Sequence, residues 1–184
     1  MRKNLLLLFI LAWTGALAAA QGNRVDLSEW RFAPGDSPEY ADPGYDDSGW
    51  LAVSLPARLA LDAGRGWLRG DLGGPGNLEG GGRYLLLGRV DAAAEVFLNG
   101  SPNGRRGTLD PRLTIPGNQP GVFLLPPGLW KPEGENGLAL RLAAPASALD
   151  ASGFQIGDED AASYERRIIG FFNFELYTVL GALC

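Results

Sequence analysis

The sequence predicts an all-β fold, a β-sandwich, on three observations. Gly and Pro are frequent, at 27 and 13 of 184 residues, and are scattered without period, which suits many short strands joined by tight turns. Apolar residues alternate with small or polar ones in several segments. In "NGLALRLAA", Leu138, Leu140 and Leu142 fall on one face of a strand while Ala139 and Arg141 fall on the other. From Gln21 to Ala144, no stretch sustains a helical period with capping residues.

The strands follow in order. "WRFAPG", from Trp30, stops at a Pro-Gly-Asp turn, and "WLAVSLP" runs from Trp50 to Pro56. "GWLRGDL" precedes "GGPGNLEGGG", which is too glycine-rich for the interior of any element. "RYLLLGRV" is almost continuously apolar, the signature of a strand covered on both faces. "AAEVFLNG" alternates and closes on Asn99-Gly100, the strongest hairpin signal in the chain. "GVFLLPPGLW" and "NGLALRLAA" complete the set.

Composition narrows the chemistry. Apolar residues make up 46% and charged residues 20%, enough for a real core. The net charge of −5 argues against a nucleic-acid partner, which calls for a basic face. There is no histidine, so Ser-His-Asp and Cys-His catalysis and His-ligated metals are excluded. The single cysteine, Cys184, forms no intramolecular disulfide and no Cys-rich zinc site. No cofactor and no metal site are expected. The residues Asp46 and Asp47 have the chemistry to hold a calcium ion, but nothing in their spacing requires one.

The ends of the chain carry different signals. Arg2 and Lys3, the apolar "NLLLLFILAWTGAL" and the small residues Ala18 and Ala20 read as a signal peptide over residues 1–20. The expected location is therefore a bacterial periplasm or the outer face of the inner membrane, in association with the membrane. The sandwich is expected over 21–144 and a linker over 145–163. Residues 164–184 are expected to be an apolar, helical segment; within it, Ile168 to Cys184 is at the lower edge of a membrane span. Glu175 counts against a lone span in lipid, so a C-terminal element of the domain itself remains the other reading.

Taken together, "WRF", "YDDSGWLAVSLP", "GWLR", "LLLGRVDAAAEVFLNG" and "ENGLALRL" stand in an order that resembles the galactose-binding-like jelly roll. That domain is the sugar-binding domain of family 2 glycoside hydrolases, and a similar one forms the exported N-terminus of bacterial membrane signalling proteins. The resemblance spans Trp30 to Leu142 and implies a jelly-roll β-sandwich. It fades in "PASALDASGFQIGDED", and "GGPGNLEGGG" stands where relatives run a strand.

Two functions follow from it. The first is a non-catalytic, exported ligand-binding or sensory module of a membrane signalling protein, whole or truncated, held to the membrane by its C-terminal segment. The alternative is a carbohydrate-binding accessory domain of a glycoside hydrolase. An enzyme is not expected, because no separated pair of carboxylates is identifiable.

The candidate residues are few. The resemblance marks Asp46, Asp47 and Ser48 as a structural turn leading to the strand anchored by Trp50, and their side chains are suited to bonding backbone N–H groups nearby. Trp67 and Arg69 share a strand face, so a ring and a charged fork stand side by side as a candidate carbohydrate or small-molecule site. The plain alternative is a core Trp and a surface Arg paired to an acid such as Asp91 or Glu95. Asn99 is either a ligand contact or simply the left-handed residue of its turn. Arg105 and Arg106 in "GRRG" are either an anion contact or, as the plainer reading, a solvated loop.

Overall fold

The alternating segments become the middle strands of two facing antiparallel sheets. The computed structural model describes residues 22–72, 83–117, 121–131 and 133–170. Its strands are β1 (Arg24–Leu27), β2 (Glu29–Pro34), β3 (Leu51–Ser54), β4 (Ala57–Ala60), β5 (Arg65–Asp71) and β6 (Arg83–Leu87). They continue with β7 (Ala93–Leu98), β8 (Ser101–Arg106), β9 (Gly121–Leu125), β10 (Gly137–Ala143), β11 (Ala148–Ala151) and β12 (Phe154–Gly157). One α-helix, α1 (Glu159–Gly170), follows. The larger sheet has the order β3-β2-β5-β10-β7-β8, and the smaller β1-β12-β6-β9. β4 and β11 form a separate two-stranded antiparallel pair.

Side-chain alternation sends one set of residues between the sheets. Leu138, Leu140 and Leu142 of β10 and Leu68 of β5 are all but fully buried there. They meet Leu85 of β6 and Phe154 of β12 in one core. Trp30 stands edge-on to Phe154, with ring centroids 5.2 Å apart, and so joins the two layers. The inward face of β5 uses glycine on either side of Leu68 for a steric reason. A Cβ at Gly70 would lie 2.9 Å from the Trp30 ring, and one at Gly66 2.8 Å from Phe32.

The "RYLLL" run is covered on both faces, as its unbroken apolarity implies. Leu85 and Leu87 face the sandwich core, while Tyr84 and Leu86 face outward under Ala161 and Ala162 of α1. Small residues permit this close approach: a Cβ at Gly157 would come within 2.7 Å of the Ala161 Cβ.

Asp158 starts the helix. Its Oδ1 accepts the Ala161 backbone N–H at 2.8 Å, and its Oδ2 accepts the Asn23 N–H at 2.8 Å, tying the start of β1 to the helix. Burial opposes the charge on Asp158, but the N–H groups of Asn23, Ala161 and Asp160 outweigh it and hold the carboxyl below its usual range. Asp158→Ala is expected to lower unfolding stability by about 1–2 kcal/mol at neutral pH, measured by urea denaturation. Because the folded value is depressed, this contribution is present above about pH 4 and lost as pH falls through the folded value.

The structure departs from the sequence reading in three places. Residues 145–163, expected as a linker, carry β11, β12 and the start of α1, with β12 paired between β1 and β6. Their four-residue strands are too short to alternate visibly. The helix is amphipathic where described, with Ala161 and Ala162 buried and Glu159, Asp160, Arg166 and Arg167 exposed. "GRRG" belongs to strand β8: Arg106 is buried and donates to the carbonyls of Val90 and Gly117, both at 2.8 Å. Among the described residues, no helix is long and apolar enough to cross a membrane. The signal-peptide reading over 1–20, the glycine loop 73–82 and the apolar run from Phe171 to Cys184 lie outside the described residues.

Candidate functional site

The outer face of the larger sheet should be polar, but it is crossed by the segment from Gly35 to Trp50, and this segment makes a site. Strand alternation brings Arg31 of β2, Trp67 and Arg69 of β5 and Arg141 of β10 to this face. Arg69 fastens the crossing segment. Its Nε donates to Asp47 Oδ2 at 2.8 Å, and its Nη1 donates to the carbonyls of Tyr40 and Asp42, both at 2.7 Å. Arg31 holds the other oxygen of Asp47 at 3.4 Å.

The acidic cluster works in two ways. Asp46 Oδ1 accepts the Ser48 N–H at 3.0 Å, and the Asp47 carbonyl accepts the Trp50 N–H at 2.9 Å, which sets a tight turn before β3. Hydrogen bonds from Ser48, side chain first and then backbone, hold the exposed Asp46 carboxyl below its usual range. Asp47 instead points back to the sheet as the anion between two arginines. The acid that meets Arg69 is therefore Asp47, whereas Glu95 meets Arg141 and Asp91 stays exposed.

A row of rings joins the crossing segment to the sheet. Tyr40 is edge-on to Tyr45 at 5.0 Å, to Trp50 at 4.8 Å and to Trp67 at 5.9 Å, and Trp67 stacks on Phe97 at 5.5 Å. Trp67 is only 1% exposed, and its indole N–H donates to Asp36 at 3.2 Å. It supports the segment from below and presents no surface to a ligand.

The opposite wall is built on the β7–β8 hairpin. Asn99 and Gly100 adopt left-handed conformations, φ 51° and 80°. The Asn99 amide donates to the Leu129 carbonyl at 2.7 Å and to Asn136 Oδ1 at 3.0 Å, while its oxygen accepts the Gly137 N–H at 2.9 Å. Asn136, fully buried, clasps both backbone groups of Lys131 at 2.8 and 3.0 Å. Two asparagines thus staple the 129–137 segment to the hairpin.

Between these walls runs an open cleft of about 620 Å³. Its floor comes from β2, β5 and β10, including Arg69, Asp71 and Ala139. Pro43, Tyr45 and Asp47 line one side, and Asn99, Gly100, Lys131 and Glu135 the other. Two of the three expected ligand residues, Arg69 and Asn99, reach the cleft, each already engaged in holding a wall. Tyr45, Lys131 and Glu135 carry no sequence signal, because the two loops that bring them together are remote in the chain. Among the described residues, no group of three or more Cys, Asp or Glu is arranged to hold a metal ion.

No protein-family model matches the sequence, and no curated protein matches it. Solved structures match the fold. A Bacteroides uniformis β-glucuronidase 2, covalently bound to cyclophellitol-6-carboxylate aziridine, superposes with a TM-score of 0.58 at 19% identity. That match covers 73% of this chain and 18% of the glucuronidase. A β-glycosidase from Bacteroides vulgatus gives 0.58 at 18% identity over 73% and 20% of the two chains. A β-glucuronidase from Ruminococcus gnavus gives 0.51 at 13% over 74% and 30%. The chain shares its fold with one part of these glycosidases. It spans less than a third of the length of each. At this identity the likeness is one of fold alone.

Proposed function

We propose that the chain is a non-catalytic, carbohydrate-directed module of the kind built into family 2 glycoside hydrolases, and that the cleft beside Tyr45 is its binding site. The observation that carries this reading is the shared fold with one segment of several glycosidases. The cleft supports it: its volume falls in the range of small-molecule sites. Its lining mixes carboxylates, an ammonium group and the surfaces of Tyr45 and Pro43. A sugar needs both kinds of partner, polar groups for its hydroxyls and flat surfaces for its C–H faces.

The absence of histidine removes triad-type and Cys-His catalysis, which supports a module without its own chemistry. The glycosidase neighbours favour this reading over a sensory module of a signalling protein. Export, read from the leader, is part of the proposal.

The test is retention of the full chain in native gels cast with soluble plant or bacterial polysaccharides, together with assays on chromogenic aryl glycosides. Retention on at least one polysaccharide without hydrolysis is expected. Hydrolysis would make the chain an enzyme, and free migration through every gel would end the carbohydrate reading.

A further inference from the structure

We infer that the cleft selects neutral, hydroxyl-rich sugars and turns away uronates and sulfated glycans. This rests on the carbohydrate reading of the cleft and adds the charge class of the ligand. The inference comes from how the charged groups lining the cleft are already committed.

Four carboxylates line the cleft, from Glu29, Asp47, Asp71 and Glu135, against three cations, Arg31, Arg69 and Lys131. A carboxylate or sulfate on a sugar is best held by a guanidinium offering two parallel N–H groups. Arg69 is not in a position to do so. Its side chain is 13% exposed, its Nε is bound to Asp47, and its Nη1 is bound to two backbone carbonyls that hold the wall. Taking Arg69 away from Asp47 would leave a poorly hydrated carboxylate facing the incoming anion. Arg31 shares the same Asp47 and sits 3.4 Å from the carbonyls of Asp47 and Ser48. That leaves the Lys131 ammonium and the loosely held Arg31 side chain, 47% exposed, to meet an anion, in a cleft whose formal charge is already negative.

The same inventory suits a neutral sugar. Ionised carboxylates only accept hydrogen bonds, and an ammonium only donates them. A sugar hydroxyl does both, so it bonds Glu135 as donor and Lys131 as acceptor. The charges are largely exposed, so repulsion of an anion is screened by salt and amounts to a preference rather than an absolute bar.

The experiment is isothermal titration of the full chain with neutral gluco-, manno-, xylo- and galacto-oligosaccharides. Oligogalacturonate and a sulfated chondroitin oligosaccharide of equal length are run beside them, at about 20 and 200 mM salt. Binding of a neutral member about tenfold or more tighter than either acidic one, with little change between the two salts, is expected. Glu135→Gln should weaken that binding roughly 3- to 10-fold at an unchanged melting temperature. Tighter binding of an acidic oligosaccharide, weakening as salt rises, would overturn the inference while leaving the carbohydrate reading in place. Neutral binding that Glu135→Gln leaves unchanged would place the sugar outside this cleft and overturn it as well. No binding by any member would overturn the carbohydrate reading and this inference with it.

Discussion

Trp67→Ala is expected to lower unfolding stability by about 3–5 kcal/mol, the range for truncating a fully buried indole. Trp67 is 1% exposed, stacks on Phe97 and supports Tyr40 from below. Its loss opens a cavity between the sheet and the crossing segment, and leaves Asp36 without the indole donor. Against a total stability on the order of 5–15 kcal/mol, this is a large share. Urea denaturation gives the loss. A role for Trp67 as a ligand platform, which the sequence alone leaves open, predicts the reverse pattern: stability held and sugar binding lost.

The second large effect belongs to Arg141, which gathers three acids from separate segments. Its Nε and Nη2 hold the two oxygens of Asp36 at 2.7 and 2.6 Å, Nη1 holds Glu95 at 3.1 Å, and Nη2 also reaches Asp110 at 3.0 Å. The pairs are partly buried, so Arg141→Met should cost about 2–3 kcal/mol at pH 7, less than a fully buried pair. The hydrogen bond from Arg141, outweighing the burial of Asp36, holds that carboxyl below its usual range. A depressed folded value contributes stability above the unfolded pKa of about 3.9 and loses it as pH falls further. The gap between wild type and Arg141→Met, read from urea midpoints, should therefore narrow between about pH 4 and pH 2. A gap of constant size across that range would show that the pair with Asp36 contributes nothing.

How far the sequence could be read depended on the length and periodicity of each segment. β7 and β10 are six and seven residues long with apolar alternation, and the burial of β6 on both faces follows from its unbroken apolar run. β1, β4, β11 and β12 have four residues each, too few for a period to stand out, and β8 reads "SPNGRR", a string of turn formers and charge. Their place in the sheets is set by their partners, not by their own composition. At the site, the turn chemistry of Asp46 and Ser48 was visible because it is local. The pairing of Asp47 with Arg69 and of Asn99 with Asn136 was not, since each spans more than twenty residues and depends on strand register. Two of the expected ligand residues reached the cleft for that reason as parts of its walls, and the third, Trp67, lies under one of them.

Sugar binding in the cleft is tested most directly by hydrogen exchange on the full chain, with and without a neutral oligosaccharide that it retains. Added protection is expected at Asp42–Asp47, at Asn99–Gly100 and across Glu135–Ala139, the backbone segments that line the cleft. Protection centred instead on β6, β9 and α1, on the far side of the sandwich, would contradict it.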